Sequence, residues 1–176
     1  MSAPAPNSAP QKAAIMQPTF LPWCGYFALM ASVDLFIFLD DVQFDKRSWQ
    51  QRNRIKTPNG IVWLTVPVMT KGLRGQTIAE ARIQPDAKFP DAMWRTIEMT
   101  FAKAPFANRY LPELHDIMTE DSDAFAEAGL SLAYFDYTHP EHAQLHGPFE
   151  PYMSALDLLV NEGPRAGDIV RAGIAS

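Results

Sequence analysis

Residues 13–41 read AAIMQPTFLPWCGYFALMASVDLFIFLDD, and this stretch decides the fold class. The run from Ala13 to Gln17 is short and mainly apolar, and Pro18 stops it, as expected of a buried strand that ends there. Residues 25–33 repeat their apolar side chains at helical spacing. Residues 35–39 are continuously apolar, which suits a strand buried on both faces of a parallel sheet. A strand, a helix and a second strand within about 27 residues outline a βαβ unit.

The rest of the chain adds a hairpin and several helices to this unit. Asn59-Gly60 is a strong two-residue hairpin signal, and Pro67 predicts an edge position or the end of strand pairing. Further strands are expected at residues 78–83 and 130–137, and helices at residues 90–104, 107–118, 123–129 and 151–163, with a short final helix. The alternation of helices and strands predicts an α/β protein. We expect an open, mostly parallel sheet that starts with the βαβ unit, with an attached antiparallel hairpin and C-terminal helices.

The composition favours one globular domain. The chain has 176 residues, and residues 13–171 are expected to form a single domain behind a disordered tail, residues 1–12, rich in Pro, Ala and Ser. A net charge of -5 argues against a general nucleic-acid or anionic-membrane binder. The single cysteine, Cys24, excludes an internal disulfide and favours a cytoplasmic location. No apolar run is long enough to predict a membrane span.

The loop after the first predicted strand is unusually aromatic and stiff. Pro18 and Pro22 restrict its backbone, and Phe20 and Trp23 supply two large rings. A rigid loop of this kind suits the preformed wall of a small-molecule site, with Trp23 as a candidate ligand contact. The alternative is that these rings pack into the core beneath the following helix.

Polar residues follow both strands of the predicted βαβ unit. Gln17 ends the first strand, and Asp40 and Asp41 end the second. Ligands of open α/β sheets bind beyond the carboxyl ends of parallel strands, so these three residues are candidate site residues. Either carboxylate could hold a ribose, a magnesium ion or a substrate amine. Alternatively, Asp40 and Asp41 only end the strand and begin a turn.

A basic cluster follows, with five Lys or Arg residues between Lys46 and Lys56. Arg52 and Arg54 alternate, so on a strand their side chains point the same way. Two guanidiniums on one face could clamp a phosphate or a carboxylate through paired hydrogen bonds. The alternative is a solvated hairpin face, which is the usual role of a surface charge run.

Three histidines, His139, His142 and His146, suggest zinc, but their spacing is irregular and the chain has one cysteine. We therefore predict no metal site. His139 follows a predicted strand and is the candidate acid or base, since histidine titrates near neutral pH. Asp157 and Asn161 share one helix face, and they become site residues only if that face meets the strand ends.

Two long runs of the sequence resemble the WbqC-like protein family. They are residues 15–55, IMQPTFLPWCGYFALMASVDLFIFLDDVQFDKRSWQQRNRI, and residues 136–164, DYTHPEHAQLHGPFEPYMSALDLLVNEGP. The resemblance extends over residues 13–170. Among the candidates above, the positions that match the family are Gln17, Asp40, Asp41, Arg52, Arg54, His139, Asp157 and Asn161. The resemblance adds Gln144 to the candidate substrate-binding residues.

The chain departs from the family at two places that matter for function. Between Thr119 and Ser122 the family carries further helices and a strand, whereas this chain passes almost directly to DAFAEAGL. At position 142 the family commonly has an aromatic residue. That difference argues against an essential role for His142 and further against zinc.

Members of the family occur in bacterial gene clusters for surface polysaccharides such as O-antigen, and aminoacyl transfer onto sugar has been suggested for some. The resemblance implies this pathway and not a mechanism. Our leading hypothesis within it is a transferase that moves an acyl or aminoacyl group to a sugar or sugar nucleotide. Asp41 and His139 would be catalytic, and the other candidates would bind substrate. No cofactor is identified, although a nucleotide with magnesium would suit the acids, and a protein partner or a homo-oligomer is compatible. The alternative is a non-catalytic assembly protein that docks through the aromatic loop, Phe20–Phe27.

Overall fold

The computed structural model describes residues 12–85, 88–119 and 137–174. In chain order the elements are β1 (Ala13–Met16), α1 (Cys24–Ala31), β2 (Leu35–Phe38), β3 (Arg52–Thr57), β4 (Gly60–Thr65), α2 (Phe89–Phe101), α3 (Ala107–Thr119), α4 (Ala155–Glu162), a 3-10 turn (Gly163–Arg165) and α5 (Ala166–Ala172). The described residues therefore form a mixed α/β fold.

The βαβ unit predicted from the opening stretch is confirmed. β1 and β2 pair in parallel along their full length, with Ile15 opposite Ile37, and α1 connects them. The expectation that β2 is buried on both faces is wrong, because Leu35 is 36% exposed and the rest of β2 is only half-buried. The larger, mostly parallel sheet stays a prediction, since its next expected strand falls in residues 130–136, outside the described residues.

The hairpin is confirmed, with its turn one residue earlier than the Asn59-Gly60 pair indicates. β3 and β4 are antiparallel, and Thr57 pairs with Gly60, so the two loop residues are Pro58 and Asn59. The Thr57 hydroxyl accepts a hydrogen bond from the Asn59 amide and donates one to the Gly60 carbonyl. Gly60 has a φ of 108°, a conformation that glycine adopts without a steric penalty. β4 ends before Pro67, as predicted.

The strand predicted at residues 78–83 is wrong. Residues 78–80 form a turn, and Ile83 makes a single bridge to Val68. The cause is local: the Thr77 amide donates to the Glu80 carboxylate at 2.8 Å, and the Glu80 amide donates to the Thr77 hydroxyl at 3.3 Å. Such side-chain bonds to the backbone compete with strand pairing.

Two apolar clusters fix α4 between the hairpin and α1. The larger joins the inner face of the hairpin to α2, α3 and α4, and Ile55, Ile97 and Val160 are fully buried in it. The smaller joins α1 to α4 and α5 through Ala28 and Leu158. Burial of these side chains is the main favourable contribution to stability at this junction.

The expected helices within the described ranges are confirmed as α2, α3, α4 and α5, although the helix expected at residues 123–129 lies outside those ranges. Across the part of the chain that the structure describes, every helix is too short or too polar to cross a membrane.

Candidate functional site

Three segments of the chain meet where β3 passes the first residues of α1 and α4. The Ser154 amide donates to the Arg54 carbonyl at 3.0 Å, and the Ala155 amide donates to the Pro22 carbonyl at 2.8 Å. Trp23, the residue before α1, pairs with Ser154 in an antiparallel bridge. Backbone bonds of this kind hold the three segments in register, so their side chains meet in one place.

A cavity of about 370 Å³ lies at this meeting point. Its apolar and aromatic wall consists of Met16, Trp23, Tyr26, Trp49 and Tyr152. Its polar wall consists of Thr19, Asn53 and Arg54. Small-molecule sites usually have this size and this mixture of aromatic walls with a few polar groups.

Asn53 ties the aromatic loop to β3 and so shapes the cavity. Its side-chain amide donates to the Phe20 carbonyl at 3.2 Å and to the Leu21 carbonyl at 2.6 Å, and Asn53 is only 2% exposed. Leu21 has a φ of 44°, in the left-handed region that costs free energy for a residue with a side chain. The Phe20 amide also donates to the Trp49 carbonyl at 2.9 Å. The loop is therefore held through the carbonyl groups of Phe20 and Leu21 and through the amide of Phe20.

Trp23 forms the centre of the aromatic wall. Its ring lies 5.5 Å from Tyr137, 6.0 Å from His139 and 5.4 Å from Tyr152, measured between ring centres. A Cβ atom on Gly25 would overlap the Trp23 indole, so the first turn of α1 needs glycine here. The ring is half-buried and its orientation is fixed by its neighbours.

Arg52 and Arg54 lie on the same outer face of β3, as predicted from their alternation. The Arg54 guanidinium lines the cavity and donates to the Tyr152 carbonyl at 3.3 Å. The Arg52 guanidinium lies 4.3 Å from the centre of the Trp63 ring. Within the described ranges, no carboxylate makes an ion pair with either arginine. Among the described residues no acid neutralises either guanidinium, so both are suited to bind an anion from outside the chain.

His139 contacts two of the rings that line the cavity, Trp23 and Tyr152, without lining the cavity itself. Burial lowers the pKa of His139 below its usual value; the bond to the Pro140 carbonyl opposes this effect, and the nearby His142 adds to it. Nδ1 lies 3.2 Å from the Pro140 oxygen, which places the proton of the neutral ring on Nδ1. Nε2 carries the lone pair, is buried and has no hydrogen-bond partner among the described residues.

Asp157 and Asn161 lie next to His142 instead of lining the cavity. The His142 Nε2 is 3.5 Å from the Asp157 carboxylate, and both side chains are almost fully buried. The Asn161 side-chain amide donates to the Asp157 carbonyl at 2.7 Å and to its carboxylate at 3.3 Å. The His142 ring stacks on His139 at 5.9 Å. The two residues therefore hold His142 against His139.

The sequence profile of the WbqC-like protein family matches residues 17–124 and 119–169, which is most of the chain. The chain belongs to the WbqC-like protein family. An uncharacterized protein of Mycobacterium tuberculosis, Rv1507c, is 32% identical over 227 aligned residues, which cover 92% of this chain and 98% of the relative. No solved structure matches the chain.

The comparison also bears on the shortened middle of this WbqC-like chain. The alignment with the relative is 227 residues long, whereas this chain has 176, so the relative has residues without a counterpart here. The two matched segments of the family profile meet at residues 119–124. That junction coincides with the place where the resemblance indicates a missing stretch.

Of the predicted site residues of this WbqC-like chain, Trp23 and Arg54 line the cavity. The Gln17 side chain accepts a hydrogen bond from Gln50 at 2.8 Å. Asp41 is exposed and Asp40 is half-buried, and neither lines the cavity. Their roles stay predictions.

Gln144 does not line the cavity, and its side chain makes hydrogen bonds within the chain instead. Its side-chain oxygen accepts from the Glu150 amide and from the Lys56 ammonium, each at 2.9 Å, and its amide donates to the Glu150 carbonyl at 3.0 Å. Lys56 also donates to the Pro148 carbonyl. Gln144 therefore closes the loop at residues 144–150 and ties it to β3.

The sequence interpretation missed most of the residues that shape the site, namely Met16, Thr19, Tyr26, Trp49, Asn53, Trp63 and Tyr152. Asn53 stands between the two predicted arginines, and the alternation that places them outward also places Asn53 inward. Tyr152 has a φ of 60° and is 51% exposed, a strained position that the sequence does not reveal. The ranges that the structure describes contain no group of three His, Cys, Asp or Glu residues able to hold a metal ion.

Proposed function

We propose that this WbqC-like chain is a transferase of bacterial surface-polysaccharide biosynthesis that moves an acyl or aminoacyl group to a sugar or sugar nucleotide. The observation that carries the proposal is the cavity of about 370 Å³ in which Arg54, which has no ion-pair partner among the described residues, meets a wall of aromatic rings. Aromatic rings stack on sugar rings and bases, while a guanidinium binds a phosphate or carboxylate. One ligand that carries both groups would contact both walls of the cavity.

The proposed reaction is acyl transfer. An amine or hydroxyl of the acceptor attacks the acyl carbonyl carbon, and a C–N or C–O bond forms. The bond to the donor's leaving group breaks, and the leaving group keeps the electron pair. The acceptor's proton passes to a base, for which we propose His139, with Asp41 as the second catalytic group and Asp40 holding an amine or a metal-bound phosphate.

His139 has the neutral form that a base needs near pH 7, because burial lowers its pKa. Trp23 and Tyr152 contact its ring and also line the cavity. Transfer of a proton to the buried Nε2 therefore requires one of the side chains around the His139 ring to move. The 51% exposed Tyr152, with its strained backbone, is the better candidate for that movement.

The assembly-protein alternative has less support. Docking through Phe20–Phe27 needs a flat, exposed apolar patch. Phe20 packs against the larger core cluster, and Trp23 is half-buried among three rings. Phe27 is the exposed aromatic ring of this loop, at 40%. A single exposed ring is normal on a protein surface and marks no interface by itself.

The test is a product assay with pairs of acyl or aminoacyl donors and sugar or sugar-nucleotide acceptors. Mass spectrometry should detect an acceptor heavier by the transferred group. Arg54→Ala and Asp41→Asn should each slow product formation at least tenfold in proteins that keep a cooperative melt. Arg109→Ala, on the exposed side of α3, is the matched arginine control and should react at the wild-type rate. Wild-type rates in the Arg54 and Asp41 variants would refute the assigned roles, and no product from any pair would refute the transferase.

A further inference from the structure

The outer face of the hairpin brings two arginines and two tryptophans into contact. We call Trp49, Arg52, Arg54 and Trp63 the hairpin face. The guanidinium carbons of Arg52 and Arg54 lie 4.3 and 5.8 Å from the centre of the same Trp63 ring. Trp49 lies 5.4 Å from Trp63 and 5.8 Å from the Arg54 guanidinium. Contact with an indole orients a guanidinium and leaves its N–H edge available to a ligand.

Both tryptophans of the hairpin face are exposed to solvent. Trp49 is 47% exposed and Trp63 is 44% exposed, although indole rings of this size are usually well buried. Exposed aromatic side chains that adjoin one another mark binding surfaces. Trp49 also lines the cavity, so the hairpin face continues the cavity wall outward. A ligand in the cavity can therefore extend over Trp49 onto the arginines.

The two arginines differ from other arginines of the chain in their partners. Arg165 and Arg171 each pair with an acid three residues earlier. No acid pairs with Arg52 or Arg54 within the described ranges, and the Nε atoms of both are buried there without a hydrogen-bond partner. Because the Nε atoms are buried, a ligand would bind the terminal nitrogens of each guanidinium. Two cations on one face, without an acid partner among the described residues, suit a ligand with more than one negative charge.

We propose that the hairpin face binds the nucleoside diphosphate group of a sugar nucleotide. Arg52 and Arg54, about 6.6 Å apart along the strand, hold the two phosphoryl groups through paired N–H···O bonds. The exposed indole of Trp49 stacks on the nucleoside, as aromatic rings do on bases. A neutral sugar would leave both arginines without a negative partner, and a ligand with a single carboxylate would pair with only one of them. This inference rests on the proposed function, because it names the substrate class of the same site and leaves the cavity to the sugar.

The experiment measures the affinity of the whole chain for UDP, GDP, ADP, CDP, inorganic diphosphate and uridine by titration calorimetry. We expect one of the nucleoside diphosphates to bind. Arg52→Ala and Arg54→Ala should each weaken that nucleotide and inorganic diphosphate by about tenfold or more. Arg52→Lys keeps the charge but loses the paired hydrogen bonds, so its affinity should lie between those of the wild type and Arg52→Ala. Arg109→Ala is the matched control, since its guanidinium also lies over a ring, 5.1 Å from Tyr110, and it should bind as the wild type does.

The tryptophan variants separate the nucleoside from the phosphates. Trp49→Ala should weaken the nucleoside diphosphate at least fivefold and leave inorganic diphosphate unchanged, whereas Trp49→Phe should restore most of the loss. A thermal melt of every variant confirms that it is folded. The proposal is overturned if folded wild type binds no nucleoside diphosphate at millimolar concentration. It is equally overturned if the folded Arg52→Ala/Arg54→Ala double variant binds as the wild type does.

Two results distinguish this inference from the proposed function. Acyl transfer to a free sugar, together with no binding of any nucleoside diphosphate, would overturn the inference and keep the transferase. Binding of a nucleoside diphosphate that depends on Arg52 and Arg54, without transfer from any donor, would keep the inference and overturn the transferase.

Discussion

Replacement of Asn53 by alanine is the sharpest test of how the cavity is held. The substitution removes the donor that Phe20 and Leu21 share through bonds of 3.2 and 2.6 Å, and also the acceptor of the Arg54 amide at 2.7 Å. Asn53 is 2% exposed, so water does not replace these bonds readily. Unsatisfied buried groups cost about 1–3 kcal/mol each, and partial relaxation of the loop lowers the sum to about 3 kcal/mol. For a chain of this length that loss corresponds to a fall in Tm of about 6–12 °C.

The assay is urea denaturation of Asn53→Ala, Asn53→Asp and wild type, with the free energy of unfolding extrapolated to water. Asn53→Asp keeps the shape but puts a carboxylate against two carbonyl oxygens, so it should be at least as unstable as the alanine variant. Gln84→Ala is the control, because among the described residues its side-chain amide makes a single long, exposed bond of 3.5 Å. It should stay within about 0.5 kcal/mol of wild type. If Asn53→Ala also stayed within that limit, the loop would not depend on this side chain.

Three further predictions follow from burial and steric contact. Burial raises the pKa of the Cys24 thiol to about 12, so a thiol reagent at pH 8 should label it only after unfolding, and fast labelling of the native protein would contradict this. Burial lowers the pKa of His139, so the unfolded chain binds its proton first as the pH falls below about 6.5. Tm should therefore fall more steeply from pH 7 to 5 in wild type than in His139→Phe, and parallel profiles would refute this. Gly25→Ala should displace the Trp23 ring, change tryptophan fluorescence and lower Tm, although alanine is the better helix former; a raised Tm would show that the ring can yield.

The local patterns of the sequence predicted the elements well where one signal dominated. The continuous apolar run of β2 and the interrupted run of β1 were sufficient to predict the βαβ unit. The hairpin was placed correctly, but its turn was wrong by one residue because the Thr57 hydroxyl stabilises the earlier turn. The prediction of a strand at residues 78–83 was wrong because two side-chain hydrogen bonds between Thr77 and Glu80 favour a turn. Such bonds depend on geometry that hydrophobic periodicity does not contain.

The site was less predictable because its residues meet through tertiary contacts. Alternation sufficed for Arg52 and Arg54, since both lie on one strand. Trp49 and Trp63 lie far apart in sequence and meet only because of the register of β3 against β4. Asp157 was a candidate only on the condition that its helix face met the strand ends, and packing of α4 places its side chain against His142. Predictions that depended on the pattern of a single helix or strand were therefore more successful than predictions that depended on how two elements pack together.

No residue at the break between the two family matches lines the cavity. The lining residues come from the segment between Met16 and Arg54 and from Tyr152, and none comes from α3 or from residues 119–124. The two matched segments touch each other directly, through the Ser154 amide on the Arg54 carbonyl and through Lys56 on Gln144. Neither contact involves a residue of the junction. Binding at the hairpin face should therefore survive the shortened middle, and a variant that lengthens the chain after α3 should keep the same dependence on Arg54.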